Sequence, residues 1–173
     1  MTRLLLVLGG ARSGKSEYAE RRADAVAGGD VLYLATLCPG GRDVDRRIAE
    51  HRRRRPGGWA VRELHGVDGL EGVTAEPVRR AALLDGVELW LAALDPPGET
   101  EASRLARMAA EDCAAVASEL VCVVSSEVGM GVVPATDAGV RFRDNVGAAN
   151  ATLAAMADEV TLVVAGLALA VRP

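Results

Sequence analysis

The sequence predicts an α/β protein built on a mostly parallel, doubly wound sheet, and three observations carry that prediction. Short, continuously apolar runs closed by glycine or by an acid recur along the chain, as strands buried on both faces of a parallel sheet do. Helical patterns separate most of these runs, and such alternation is the mark of βαβ units joined by crossovers. The length, 173 residues, suits one core and is short for two, so residues 1–173 are expected to form a single domain.

The elements follow in order. RLLLVLGG, residues 3–10, reads as the first buried strand, and a helix follows over Lys15–Ala27. VLYLAT, residues 31–36, is the second strand, and the polar loop LCPGGRD leads from it to a helix near Asp43–Arg54. In that helix Val44, Ile48 and His51 fall on one face, and Pro56 ends it by disfavouring helical geometry at Arg55. WAVRELH, residues 59–65, alternates with period two and places Trp59, Val61 and Glu63 on one face. AALLDG (81–86), LVCVVSS (120–126) and EVTLVVAG (159–166) read as further strands. Helices are expected over Glu99–Glu119 and through VRFRDNVGAANATLAAMAD, with LALAVR pairing back on the last strand as a short hairpin.

Composition narrows the functional classes. Half of the residues are apolar but only 3% are aromatic, so the core is expected to be Val, Leu and Ala. A net charge of −4 argues against a protein that coats nucleic acid. No apolar run is long enough to span a bilayer and Met1 opens no basic-then-apolar leader, so a cytoplasmic protein without membrane insertion is expected. Cys38, Cys113 and Cys122 fit neither a disulfide framework nor a C-x-x-C metal site and read as small buried thiols. Lys15 is the only lysine, every other cation being arginine, which marks a place where a compact ammonium is not interchangeable with a planar guanidinium.

GGARSGKS, Gly9 to Ser16, satisfies G-x-x-x-x-G-K-[ST] between a buried strand and a helix. In such a loop backbone N–H groups close around phosphate oxygens, the helix adds its positive end, Lys15 reaches the β and γ phosphates, and Ser16 offers a hydroxyl to Mg²⁺. A second acid on a neighbouring strand is then needed for the metal, and Asp85 is the candidate. A solvated strand-end or helix-capping aspartate is the other reading of that position. Glu63 is a weaker candidate of the same kind. His51 precedes Arg52, Arg53, Arg54 and Arg55; by pattern it is either a surface or capping residue or a nucleophile towards phosphorus with cations beside it. His65 reads as a surface residue.

Taken together, GGARSGKS, VLYLAT, RIAEHRRRRPGGW with the following Glu63, LLDGVELWL, SSEVGMGVVP and RFRDNVGAANATLAAMADEV resemble the bifunctional adenosylcobinamide kinase / adenosylcobinamide-phosphate guanylyltransferases of cobalamin biosynthesis. The resemblance implies a RecA-like P-loop fold in three layers, assembled as a homotrimer. It implies phosphorylation of adenosylcobinamide by a nucleoside triphosphate, ATP or GTP. It further implies transfer of GMP from GTP to adenosylcobinamide phosphate through a guanylylated histidine, giving adenosylcobinamide-GDP and pyrophosphate. By matching position that histidine is His51, with Lys15 as the other catalytic residue. Nucleotide contacts then fall on Gly9, Gly10, Ala11, Arg12, Ser13, Gly14, Lys15 and Ser16, on Leu34, Ala35 and Thr36, on Arg52 to Arg55, and on Glu63 and Asp85. Members commonly carry asparagine where this chain has Ala93 and Ser126, and Asn-Gln where it has Asn150-Ala151. Those departures are expected to lie away from the P-loop and to touch the substrate side.

Two other classes compete with this reading. A P-loop kinase of a small metabolite keeps Lys15 and Asp85 and gives His51 no role. A nucleic-acid module would use the arginine run, but the run is short, lacks interleaved aromatics and sits in an acidic chain.

Overall fold

Alternation of apolar runs and helices builds a three-layer structure around one sheet. The computed structural model describes residues 2–36, 46, 49, 53, 56–64, 66, 70 and 72–173. In chain order these form β1 (Arg3–Gly9), α1 (Lys15–Ala27), β2 (Val31–Ala35), β3 (Ala60–Glu63), β4 (Arg79–Asp85), α2 (Val87–Leu94), α3 (Glu99–Ala115), β5 (Ala117–Ser126), α4 (Asp137–Met156), β6 (Glu159–Val164) and β7 (Leu167–Arg172). The strand order is β3-β2-β4-β5-β1-β6-β7. Every pairing among the described residues is parallel except β6 with β7.

Successive residues of a strand point to opposite faces, so a run such as Leu5-Leu6-Val7 supplies two cores at once. Leu5, Val7, Val31, Tyr33, Leu83, Cys122 and Val124 pack against Ala19, Ala23 and Ala27 of α1. The alanines recur every four residues, which keeps α1 close to the sheet. Leu6, Leu32, Leu34, Leu84, Val121 and Val123 face the other way, against Trp90 and Leu91 of α2, Leu105 and Ala109 of α3, and Val146 and Leu153 of α4. Burying a Val or Leu side chain contributes about 1.5–3 kcal/mol, so these central strands stabilise the fold chiefly through aliphatic packing, with Tyr33, Trp59 and Trp90 as the buried aromatics. Both Cys113 and Cys122 are buried and free, as the sequence suggested.

The structure corrects the sequence reading at four places. Helix α2 was not anticipated: eight mostly apolar residues between Gly86 and Asp95 carry too short a period to separate from the strand before them. The helix expected to run to Glu119 stops at Ala115, because Ala117–Glu119 extend β5, where Arg79 N–H donates to Val116 O and Arg80 Nε donates to Glu119 at 2.6 Å. Helix α4 starts at Asp137, ahead of the expected run, where the Thr136 hydroxyl accepts from Gly139 N–H at 3.1 Å. Val61 and Glu63 share an open face of the edge strand β3, whereas Trp59, just before the strand, is buried against the ring of Tyr33. The expected β6–β7 hairpin is present; Ala165 and Gly166 both take positive φ, the backbone of a type I′ turn.

Arg46, Ala49 and Arg53 are helical, within the helix expected near Asp43–Arg54. His51, Arg52, Arg54, Arg55, Cys38 and His65 lie outside the described residues. No described helix is long and apolar enough to cross a membrane.

Candidate active site

The site grows from the carboxyl end of β1. Gly9 closes β1 in register with Ser126 of β5 and Val163 of β6. A Cβ at Gly9 would lie 2.5 Å from Ser13 Oγ and 2.6 Å from the Val163 carbonyl oxygen, so only glycine lets the chain leave the sheet here. The loop then folds on itself: Ser13 N–H donates to Gly10 O at 3.3 Å, and Ser13 O accepts from Gly166 N–H at 2.8 Å. The β6–β7 turn therefore props the phosphate loop from behind. Gly14, at φ 93, turns the chain into α1 with no side-chain cap, which leaves first-turn N–H groups free to meet an anion. Lys15 Nζ donates to Gly10 O at 3.4 Å, bringing the ammonium over the loop.

Asp85 ends β4, which β5 separates from β1. Its carboxylate nevertheless reaches the loop helix, accepting from Ser16 Oγ at 2.9 Å on one oxygen and from Tyr33 Oη at 2.5 Å on the other. With Asp85 only 9% exposed, the reading of a solvated strand-end residue does not hold. A hydroxyl and a carboxylate in contact at the first turn of a phosphate-loop helix form a hard oxygen pair of the kind Mg²⁺ takes, completed by phosphate and water oxygens. The residues present thus fit that ion.

The remaining predicted positions divide. The Thr36 hydroxyl lies within 2.7 Å of Asp85 O and 2.9 Å of Gly86 O, so it braces the β4–α2 corner. The Leu34 side chain is inside the core, and Ala35 O accepts from Leu64 N–H at 2.8 Å. Glu63 ends β3 at the same edge of the sheet, paired with Ala35 and exposed. Arg12, at φ 57, projects from the loop, and Arg53 is exposed. His51, Arg52, Arg54 and Arg55 lie outside the described residues.

Sequence reasoning missed two residues. Tyr33 carries the one polar side-chain atom in VLYLA, and a buried phenol hydroxyl needs a partner, a signal that was available. Glu88, inside the first turn of α2 and buried, accepts from Ser126 Oγ at 2.5 Å and from Ser126 N–H at 3.1 Å. Ser126 O in turn accepts from Asn150 Nδ2 at 3.0 Å, and the next residue, Glu127, donates its N–H to Gly9 O at 3.1 Å. The departure at Ser126 is therefore beside the P-loop, contrary to expectation, because parallel register sets the ends of β1 and β5 level. Ala93 and Ala151 are exposed on α2 and α4.

A glycine loop between a central parallel strand and a helix, with a lysine over it and a carboxylate bonded to the following serine, defines a P-loop nucleotide-binding α/β protein. Solved structures agree on the fold. The flagellar accessory protein FlaH from Methanocaldococcus jannaschii matches with TM-score 0.53 at 13% identity, over 98% of this chain and 78% of that one. The ATPase domain of G40P matches with TM-score 0.51 at 16% identity, over 92% and 68%. At the level of family, the chain belongs to the cobinamide kinase / cobinamide phosphate guanyltransferases, whose sequence model matches residues 5–171. The bifunctional adenosylcobalamin biosynthesis protein CobP of Pseudomonas aeruginosa is 38% identical over 94% of this chain and 93% of its own length. The corresponding CobU proteins of Escherichia coli and Salmonella typhimurium are 34% and 36% identical, each over 98% of this chain and 99% of their own.

Proposed function

We propose that this protein phosphorylates adenosylcobinamide from ATP or GTP and then transfers GMP from GTP to adenosylcobinamide phosphate, releasing pyrophosphate. The observation that carries the reading is the family match over residues 5–171 together with a P-loop whose Ser16 is bonded to Asp85 at 2.9 Å. Loop N–H groups and Lys15 would hold the β and γ phosphates, and Ser16 and Asp85 would hold Mg²⁺. When bound, the ion neutralises phosphate charge and stabilises the leaving oxygen.

In the second step an unprotonated His51 nitrogen attacks the α phosphorus of GTP. A P–N bond forms, the bond to the bridging oxygen breaks, and pyrophosphate leaves. An oxygen of adenosylcobinamide phosphate then attacks the same phosphorus and returns the electron pair to His51. Arg52 to Arg55 offset the charge that develops on the phosphorus oxygens, and Glu63 contributes to nucleotide binding. The enzyme is cytoplasmic and acts as a homotrimer. Leu167, Leu169 and Val171 stand exposed on β7, a surface that self-association would cover.

Incubation with GTP and Mg²⁺ but no corrinoid tests the covalent step. The intact mass rises by one GMP, the adduct is acid-labile, and the modified peptide contains His51 rather than His65. His51→Ala abolishes the adduct and the GDP product while leaving some phosphorylation of adenosylcobinamide. Wild-type GDP-product formation by His51→Ala would leave a P-loop kinase of a small metabolite as the better reading.

A further inference from the structure

We propose that Tyr33 is a positioning residue for the Asp85 carboxylate and so tunes the coupling of metal to nucleotide. The inference rests on the assignment of Asp85 to Mg²⁺ made above. Tyr33 lies in the middle of β2, 2% exposed, in register with Leu83 of β4. Asp85 stands two residues beyond Leu83 and therefore on the same face of the sheet, which brings its carboxylate within reach of the phenol. A carboxylate at a strand end has two side-chain torsions to settle. Here Ser16 Oγ donates to Oδ1 at 2.9 Å, and Tyr33 Oη donates to Oδ2 at 2.5 Å.

The two bonds behave differently when an ion arrives. A cation held by Ser16 and Asp85 would draw on lone pairs of Ser16 Oγ and of the carboxylate, and so would bear on the Ser16 bond directly. The Tyr33 bond, on the other oxygen, survives. It keeps the carboxylate turned towards the loop both before and after binding. The phenol is itself held: the Trp59 ring lies 6.1 Å from the Tyr33 ring at 34°, and both sit in the core on the α1 side. Trp59 follows Pro56-Gly57-Gly58 directly, so the chain leaving the arginine run is anchored on the ring that orients the acid. Packing alone does not call for the hydroxyl, since phenylalanine fills the same space. Groups that orient a metal ligand from behind commonly govern affinity for the ion about 10- to 100-fold.

The test is Tyr33→Phe in the full-length protein, with GTP affinity measured by calorimetry in EDTA and across a Mg²⁺ titration. The expected result is metal-free GTP affinity within about twofold of wild type and a Mg²⁺ half-saturation concentration raised about 10- to 100-fold. In the Asp85→Asn background the same substitution leaves the Mg²⁺ dependence where Asp85→Asn alone put it. An unchanged Mg²⁺ dependence in Tyr33→Phe overturns the proposal, as does an equal loss in EDTA, which marks a folding effect. If Asp85→Asn itself leaves Mg²⁺ dependence unmoved, it is the metal assignment of Asp85 that fails.

Discussion

Replacing Gly9 by alanine tests whether the phosphate loop depends on close backbone approach rather than on glycine as such. The new Cβ would lie 2.6 Å from the Val163 carbonyl oxygen and 2.5 Å from Ser13 Oγ, against the ~3.5–4.0 Å of ordinary carbon contacts. Ser13 has a rotamer to give, but Val163 is locked in the β1–β6 ladder opposite Gly9. Relief therefore needs about 1 Å of movement at the root of the loop. Overpacking of this kind costs about 1–3 kcal/mol, and for a chain of this size each kcal/mol lowers Tm by about 2–4 °C. A fall of about 2–12 °C is expected. A displacement of about 1 Å in a positioning element also costs up to about 10²-fold in turnover. Gly10 is the internal control, since a Cβ there meets nothing within 4 Å. Gly10→Ala is expected to melt within about 2 °C of wild type, as surface changes do. Thermal melts of the two variants side by side decide the matter. Equal melting temperatures would refute the steric argument.

Other outcomes follow from the same structure. Lys15→Arg is expected to keep the fold and lose about 10²-fold or more in nucleotide-dependent turnover, because the guanidinium fork does not fit where the ammonium lies over Gly10; turnover within a fewfold of wild type would contradict this. Asp85→Asn keeps an oxygen for the Tyr33 hydroxyl and an amide for Ser16, so Tm is expected to move by less than about 4 °C while Mg²⁺-dependent GTP binding weakens, and the reverse pattern would make Asp85 structural. Burial pushes the Cys113 and Cys122 thiols up from 9.0 to about 12, so native protein should leave both unalkylated until it unfolds. Because the unfolded thiols ionise first, the stability these groups supply is complete below pH 9.0 and is lost as pH rises towards 12, which alkaline melts read directly.

Much of the fold was legible because it follows from local chemistry. β1, α1, β2 and the β6–β7 hairpin were read from apolar runs and glycine punctuation, signals that lie within a few residues of each other. The phosphate loop was legible for the same reason: its glycines, Lys15 and Ser16 are consecutive. Asp85 was readable as a strand-end acid, but its contact with Ser16 spans 69 positions, which no short pattern records. Helix α2 and the early start of β5 were not legible. An eight-residue apolar helix has no clear period, and Ala117–Glu119 look helical until Arg80 pairs with Glu119 across the sheet.

The sequence by itself determined the layering, the position of the phosphate loop and, through its resemblance to a known family, the class of reaction. These depend on residue order and on short-range periodicity, which the chain carries wherever it goes. Only the tertiary structure decided which side chains meet. Parallel register brought Ser126 level with Gly9 and gave Glu88 a partner. The same geometry set Tyr33 and Ser16 on opposite oxygens of one carboxylate. The physical reason is that strand order and register bring residues far apart in sequence within hydrogen-bond distance, and a buried polar group is stable only where such a partner arrives.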